Sequence, residues 1–375
     1  IHTMNHQLGS QLGLLINKTK DGGHDDDSVD RLNYAKTAFL LAGFALFVMA
    51  IQNIGDPITC WVPAEYPETW NRYIRQYCFV ENTYYANISS LPNDIEEREN
   101  NEIIYYQWIP YILAGQAFLA YLPKLIFIMA YSFSETNISD LIQLCFKETR
   151  EGKTDGVAKT NKLLVRKLYQ LPVQKNPTMI KSTIYLTTTY LGQKVITIIF
   201  LFCQLLILNF FIQSSDIFWG FKITYTLLSG YDWRVTKFFP RVTFCDLETR
   251  DLGQSRKHTL QCILPYNMFI EKIYIFLWIF FFTMIIVSIV NLIYWLYRIF
   301  NRESKYGMVK SALKIQDDPK LRSATRDEIN CFINETLLYD GATVLRLVES
   351  NSGYVNMVDL CAKLYESRGS CSKYD

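Results

Sequence analysis

The chain has 375 residues, half of them apolar and a fifth charged, with a formal net charge of +2. That balance gives no electrostatic case for a nucleic-acid partner, and nine cysteines are too sparse for a disulfide-stapled miniprotein. Mean hydropathy is near zero only because long charge-free runs alternate with polar stretches, and the 15% aromatic content suits side chains facing lipid or headgroups.

Residues 1–37 read as a cytoplasmic amino-terminal segment. Met4 is taken as the initiator, which would leave Ile1–Thr3 outside the natural chain. Between Met4 and Lys20, Leu8, Leu12, Leu15 and Ile16 recur at roughly helical spacing, so this stretch can lie on a membrane or fold into a pore mouth. "DGGHDDDSVDRLN" (Asp21–Asn33) is acidic enough to suggest a metal loop. The simpler reading is a solvated approach to the first helix, capped by Asp or Ser.

Four apolar runs can cross a bilayer, which needs about 20 helical residues. The first, Ala38–Ile54, follows more than thirty mostly polar residues and precedes no small-residue cleavage site, so it reads as a span and not a signal peptide. Ala35, Ala38, Ala42 and Ala45 make a stripe of small side chains on one face, suited to close packing or to a thin pore wall. The second span, 108–131, opens on "YYQWIP" (Tyr105–Pro110). Tyr105, Tyr106 and Trp108 are interfacial aromatics, Gln107 can reach water or loop backbone, and Pro110 is placed in the first turn, where its missing N–H costs little. Pro123 lies deeper and is expected to kink the helix. The third span covers 186–212 and the fourth 271–297. Lys124, Lys194, Glu271 and Lys272 lie near span ends, where long side chains can snorkel to the interface. Gln116, Gln204, Ser288 and Asn291 are the notable polar groups inside, suited to hydrogen bonds between helices.

The basic residues of the connecting segments set an orientation. Gly55–Gln107 holds three Arg against nine Asp and Glu, Ser132–Thr183 holds nine basic residues, and the segment after Tyr297 holds twelve. Both termini and the 132–185 loop are therefore assigned to the cytoplasm, and the 55–107 and 213–270 loops to the outside. Each outer loop carries two cysteines, Cys60 and Cys78 in the first, Cys245 and Cys262 in the second, where thiols oxidise. Cys60 and Cys262 both lie close to span ends, which favours Cys60–Cys262 with Cys78–Cys245; pairing within each loop stays open. Cys145, Cys331, Cys361 and Cys371 are expected to be reduced, and Cys203 falls in the third span. Of the sequons at Asn17, Asn87, Asn137 and Asn334, only Asn87 lies in an outer loop. Leucine periodicity in both the 132–185 loop and the 298–375 region predicts a folded helical dome. No nucleophile–base constellation, phosphate-cradling loop or metal-ligand spacing appears, so neither enzyme activity, a metal site nor a cofactor is expected.

The chain resembles the innexins, invertebrate gap-junction proteins related to pannexins. The resemblance is carried by "DRLNY" (Asp30–Tyr34), "IGDPITCWVPAEY" (Ile54–Tyr66), "QYCF" (Gln76–Phe79), "YYQWIP" (Tyr105–Pro110), "FFPRVTFCD" (Phe238–Asp246) and "LPYNMFIEKIYIFLW" (Leu264–Trp278). It implies a mainly α membrane protein: a four-helix transmembrane bundle, a disulfide-stapled extracellular cap of small mixed α/β character, and a helical cytoplasmic dome. It supports the interleaved disulfides. It further implies homo- or hetero-oligomers with other innexins, an octamer in preference to a hexamer, docking on an opposed hemichannel of the adjacent cell. Membrane lipids would surround the ring, and ions and small metabolites would pass through it. Leu8, Gln11, Ala38, Ala42, Ala45 and Asp56 are the expected pore-lining positions. A non-docking, pannexin-like hemichannel is the alternative, motivated by Asn87, because a bulky glycan there could hold two caps apart.

Overall fold

The computed structural model describes residues 26–81, 83–86, 98, 101–132, 147, 151, 159–163, 165, 184–212, 218–229, 239–251 and 253–367. In chain order the elements are α1 (Ser28–Ile54), β1 (Thr59–Cys60), α2 (Glu68–Val80), β2 (Thr83–Tyr84), β3 (Glu102–Ile103), α3 (Tyr105–Ser132), α4 (Tyr185–Ile212), α5 (Trp219–Leu228), β4 (Val242–Asp251), β5 (Gln254–Ile263), α6 (Asn267–Phe300), α7 (Arg302–Ile315), α8 (Pro319–Arg322), α9 (Arg326–Cys331), α10 (Leu338–Ser352) and α11 (Tyr354–Glu366). Among the described residues, α1, α3, α4 and α6 are the helices long and apolar enough to cross a membrane. They are helical because hydrocarbon offers the backbone no partner but itself. The chain divides into two compact units, and the division falls within all four of these helices.

The unit formed by residues 36–120 and 199–286 contains a five-stranded antiparallel sheet in the order β1-β5-β4-β2-β3. The long β4–β5 hairpin turns at Gly253, whose φ of 87° is a left-handed value that favours glycine. α2 turns Ile74 and Cys78 inward, and Tyr84, Ala86 and Phe244 form a small apolar cluster. Gly220 of α5 lies against Trp278 so closely that a Cβ would sit 2.1 Å from the indole.

α3 begins three residues ahead of the apolar run, so Pro110 is the sixth residue of the helix and not part of its first turn. Its missing N–H therefore leaves the Tyr106 carbonyl without the usual i→i−4 bond. Gln52 of α1 supplies the replacement, donating from Nε2 to that oxygen at 2.7 Å. Deeper in the bundle, Gln116 and Gln204 each donate to the other's backbone carbonyl, at 3.3 and 2.9 Å, and so join α3 to α4.

The other unit comprises residues 1–35, 121–198 and 287–375. Its core joins Phe127, Tyr190 and Trp295 to the apolar faces of α7, α10 and α11. Asn301 caps α7 by accepting from Glu303 N, and Thr325 with Glu328 forms a capping box at the start of α9. Asp340 on α10 accepts from the N–H groups of Leu186 and Thr187 and from the Thr187 hydroxyl, at 3.2, 2.9 and 2.7 Å. It thus satisfies donors of the first turn of α4. Burial pushes its carboxyl above the ordinary value in spite of those bonds. Two cysteines of this unit differ in state. Cys361 is a buried thiol, pushed up to about 12 by its burial. Cys331 is disulfide-bonded. The expectation that it is reduced is corrected: that reading rested on the compartment assigned to the segment, which says what is common there and not the state of one cysteine.

The Gln52–Tyr106 bond makes a paired prediction. Gln52→Leu should destabilise the protein by about 1–3 kcal/mol, because it strands a buried carbonyl. Adding Pro110→Ala should recover most of that loss, since the alanine N–H can close on the same oxygen. Thermal unfolding of the purified single and double variants in detergent checks both statements.

Candidate functional site

The cap is stapled at two points. β1 and β5 place Cys60 and Cys262 directly opposite in register, and a disulfide joins them across 202 residues of chain. Cys78, on the inward face of α2, is bonded to Cys245 of β4. The three sulfurs of Cys60, Cys78 and Cys262 lie close together, and both pairs are oxidised, so they offer no thiolate to a metal. Asp246, one residue beyond Cys245, accepts from Arg98 Nη1 at 2.8 Å, Thr259 Oγ1 at 2.7 Å and Tyr84 OH at 3.2 Å. Burial, with the Asp246 charge, pushes the Tyr84 phenol up to about 12.

The aromatic segment at the start of α3 connects this cap to its span. The Tyr106 hydroxyl donates to Phe79 O at 3.1 Å, and Gln107 Nε2 donates to Phe79 O and Val80 O at 2.7 and 3.0 Å. Those are end carbonyls of α2, which the helix itself cannot satisfy. Tyr106 is fully buried beside Tyr266, Tyr105 meets Phe239 edge to face, and Trp108 is 57% exposed. The segment is thus a helix cap for its neighbour, one residue from the Cys78 disulfide.

Asp26, Asp27 and Asp30, at the start of α1, are buried and not solvated. Asp26 pairs with Lys124 of α3 at 2.8 Å. Lys194 of α4 bridges Asp27 and Asp30 at 3.0 and 2.7 Å. Asp27 Oδ2 also accepts from Asn291 and Trp295 of α6, at 2.8 and 2.7 Å, while its Oδ1 caps α1 at the Asp30 N–H. Tyr190 donates to Asp30, and Asn33 to Ser288. The snorkelling expected of Lys124 and Lys194 is therefore corrected: both are buried, because three carboxylates of the same chain meet them inside. Glu271 is likewise buried and pairs with Arg241 and Lys272.

Of the expected pore-lining positions, Leu8 and Gln11 lie outside the described residues, as does Asn87. Ala38 and Ala42 are half-buried and Asp56 is exposed, whereas Ala45 lies with Leu41 and Val48 on the buried face of α1.

The family model described as Innexin matches residues 26–368. The chain belongs to the innexin family, the gap-junction channel proteins. Among its relatives, Innexin-3 of Caenorhabditis elegans is 32% identical over 92% of this chain and 84% of its own length. Innexin-16 of the same organism is 33% identical over 91% and 89%, and Innexin-17 is 34% identical over 93% and 96%. The match begins at Asp26, the first carboxylate of the buried network. The four innexin spans therefore carry a cysteine-stapled cap and an ionic network as two separate fixtures.

The network residues were the ones least visible beforehand. Asp26, Asp27 and Asp30 read as solvent-facing, Lys194 as interfacial, and Asn291 as a generic interhelical donor. Their signal was the charge count: three carboxylates adjoin a span, and α3 and α4 each bring one lysine to meet them.

Two outcomes follow for this innexin. Lys194→Met should cost about 3–5 kcal/mol by stranding two buried carboxylates, and Lys194→Met with Asp30→Asn should be less damaged than Lys194→Met alone. Detergent thermal melts and size-exclusion profiles check this. Cys60→Ser and Cys262→Ser should each lose about 2–5 kcal/mol, and the double variant should be no worse than either single one, read by the same melts.

Proposed function

We propose that this innexin is the subunit of a ring-shaped channel, an octamer in preference to a hexamer, whose disulfide-stapled cap faces outward and docks on the cap of an adjacent cell's ring. Both termini and the α7–α11 domain are assigned to the cytoplasm. The supporting observation is the cap itself. Two long-range disulfides and the α2 carbonyls held by Tyr106 and Gln107 remove the freedom of the segments between the spans. A surface that must meet its counterpart face to face gains affinity from such pre-organisation. Ions and small metabolites are the permeants that a wide pore would pass. Ala38 and Ala42 are the α1 positions assigned to the pore wall, with Ala45 behind them on the packed face; Leu8, Gln11 and Asp56 are assigned to the mouths.

Paired cells that both express the protein should show junctional conductance, and Cys60→Ser should abolish it while leaving protein at the cell surface. A thiol reagent applied to an Ala42→Cys variant should reduce the conductance. Solute release from single cells with no coupling between pairs would instead identify a non-docking hemichannel, and an image of the purified particle would read the ring size directly.

A further inference from the structure

The helical domain contains a cavity of about 390 Å3, lined where the end of α6 meets α7, α10 and α11. Tyr294, Tyr297 and Arg298 contribute from α6, Ser304 and Gly307 from α7, and Arg346 from α10. The two arginines converge on one carboxylate, Glu349, at 2.8 and 3.3 Å. Arg346, only 7% exposed, also donates to the backbone and hydroxyl of Ser304, and Arg298 to the Tyr294 hydroxyl. A guanidinium carries more N–H donors than these partners take up. The other acid on the wall, Glu303, is already bound to Arg326 at 2.8 Å. Burial, and then the Arg298 charge, lower the Arg346 group from its ordinary value.

The surroundings carry the same sign. From Arg298 to Gln316 the chain has five basic residues and one acid, directly beyond a span. Such juxtamembrane clusters attract anionic lipid, at about 1 kcal/mol per charge near the surface. Tyr294 and Tyr297 are exposed rings at the end of an apolar helix, where amphipathic aromatics meet headgroups. Val290 and Ile293, on the preceding turns, are exposed and apolar. Gly307 leaves room on the α7 wall: nothing lies within 4 Å of where its Cβ would be.

We propose that this cavity binds the phosphate-bearing headgroup of an anionic phospholipid, the phosphate on Arg298 and Arg346 and the acyl chains along the exposed face of α6. The assignment to the cytoplasmic leaflet rests on the orientation proposed above. A headgroup held there would tie the helical domain to the bilayer surface at the foot of α6.

The test uses the full-length protein in neutral detergent with three probes: dioctanoyl phosphatidylinositol phosphate, its soluble inositol phosphate headgroup, and dioctanoyl phosphatidylcholine. Wild type should bind the first in preference to the other two. Arg298→Gln should weaken it about tenfold, the scale of one charge-assisted hydrogen bond. Gly307→Leu, which fills the cavity without altering charge, should weaken it comparably, with thermal melts confirming that both variants fold. Lys320→Gln, on α8 and away from the cavity, should bind as wild type does. No binding by wild type, a loss with Lys320→Gln equal to that with Arg298→Gln, or full binding by Gly307→Leu overturns the proposal. Headgroup binding as tight as lipid binding overturns the lipid and assigns the cavity to a soluble phosphate compound. Detergent binding has no sidedness, so an antibody reaching a carboxy-terminal tag on unpermeabilised cells would overturn the orientation alone.

Discussion

The bundle depends on a small ionic network at one end of its spans. Asp27 accepts bonds from Lys194, Asn291 and Trp295 and caps its own helix, while Asp26 holds Lys124 and Asp30 shares Lys194 with Asp27. All four spans contribute a side chain. Charges removed from water are costly unless paired and hydrogen-bonded, so these groups tolerate few alternative arrangements. The network therefore specifies how α1 meets α3, α4 and α6 more sharply than the apolar faces of those helices could. Lipid-facing and helix-facing apolar side chains have nearly the same environment, and hydrophobicity alone does not choose a rotation about the helix axis.

The cap is held by other means. Among the described residues Tyr84, Ala86 and Phe244 form one apolar cluster on its sheet. Two disulfides add covalent closure, each closing a loop of well over a hundred residues. Tyr106 and Gln107 then fix the end of α2 to the start of α3, so that the covalently restrained segment is also attached to a membrane helix. In the channel proposed above, stiffness of this face would serve docking. The sheet order makes β1 an edge strand and β5 its inner neighbour, so the Cys60–Cys262 bond ties the edge to the interior of the sheet.

The spans were legible because bilayer thickness imposes a length and a composition that no soluble helix needs to share. The cysteine pairs were partly legible: closeness of Cys60 and Cys262 to span ends favoured one connectivity, and the structure contains that one. What stayed hidden was the destination of polar groups. Nothing local in "DDDSVD" says whether its carboxylates face water or lysines brought from positions about a hundred and more residues away. Pro110 shows the same limit in miniature. Its missing donor is certain from the residue type, yet the partner that takes over, Gln52, lies on a different helix.

Asp340 gives the helical domain a standing that its place after the last span conceals. The first turn of α4 has its backbone donors committed to this carboxylate, with Thr343 hydrogen-bonded to Thr187 beside it. In effect α4 is completed by residues that the ribosome delivers about a hundred and fifty positions later. Until α10 folds, the third span ends in open donors, and any motion that withdraws α10 uncovers them again. The domain is thus a fitted end-piece of the transmembrane bundle, and displacement of one is mechanically a strain on the other.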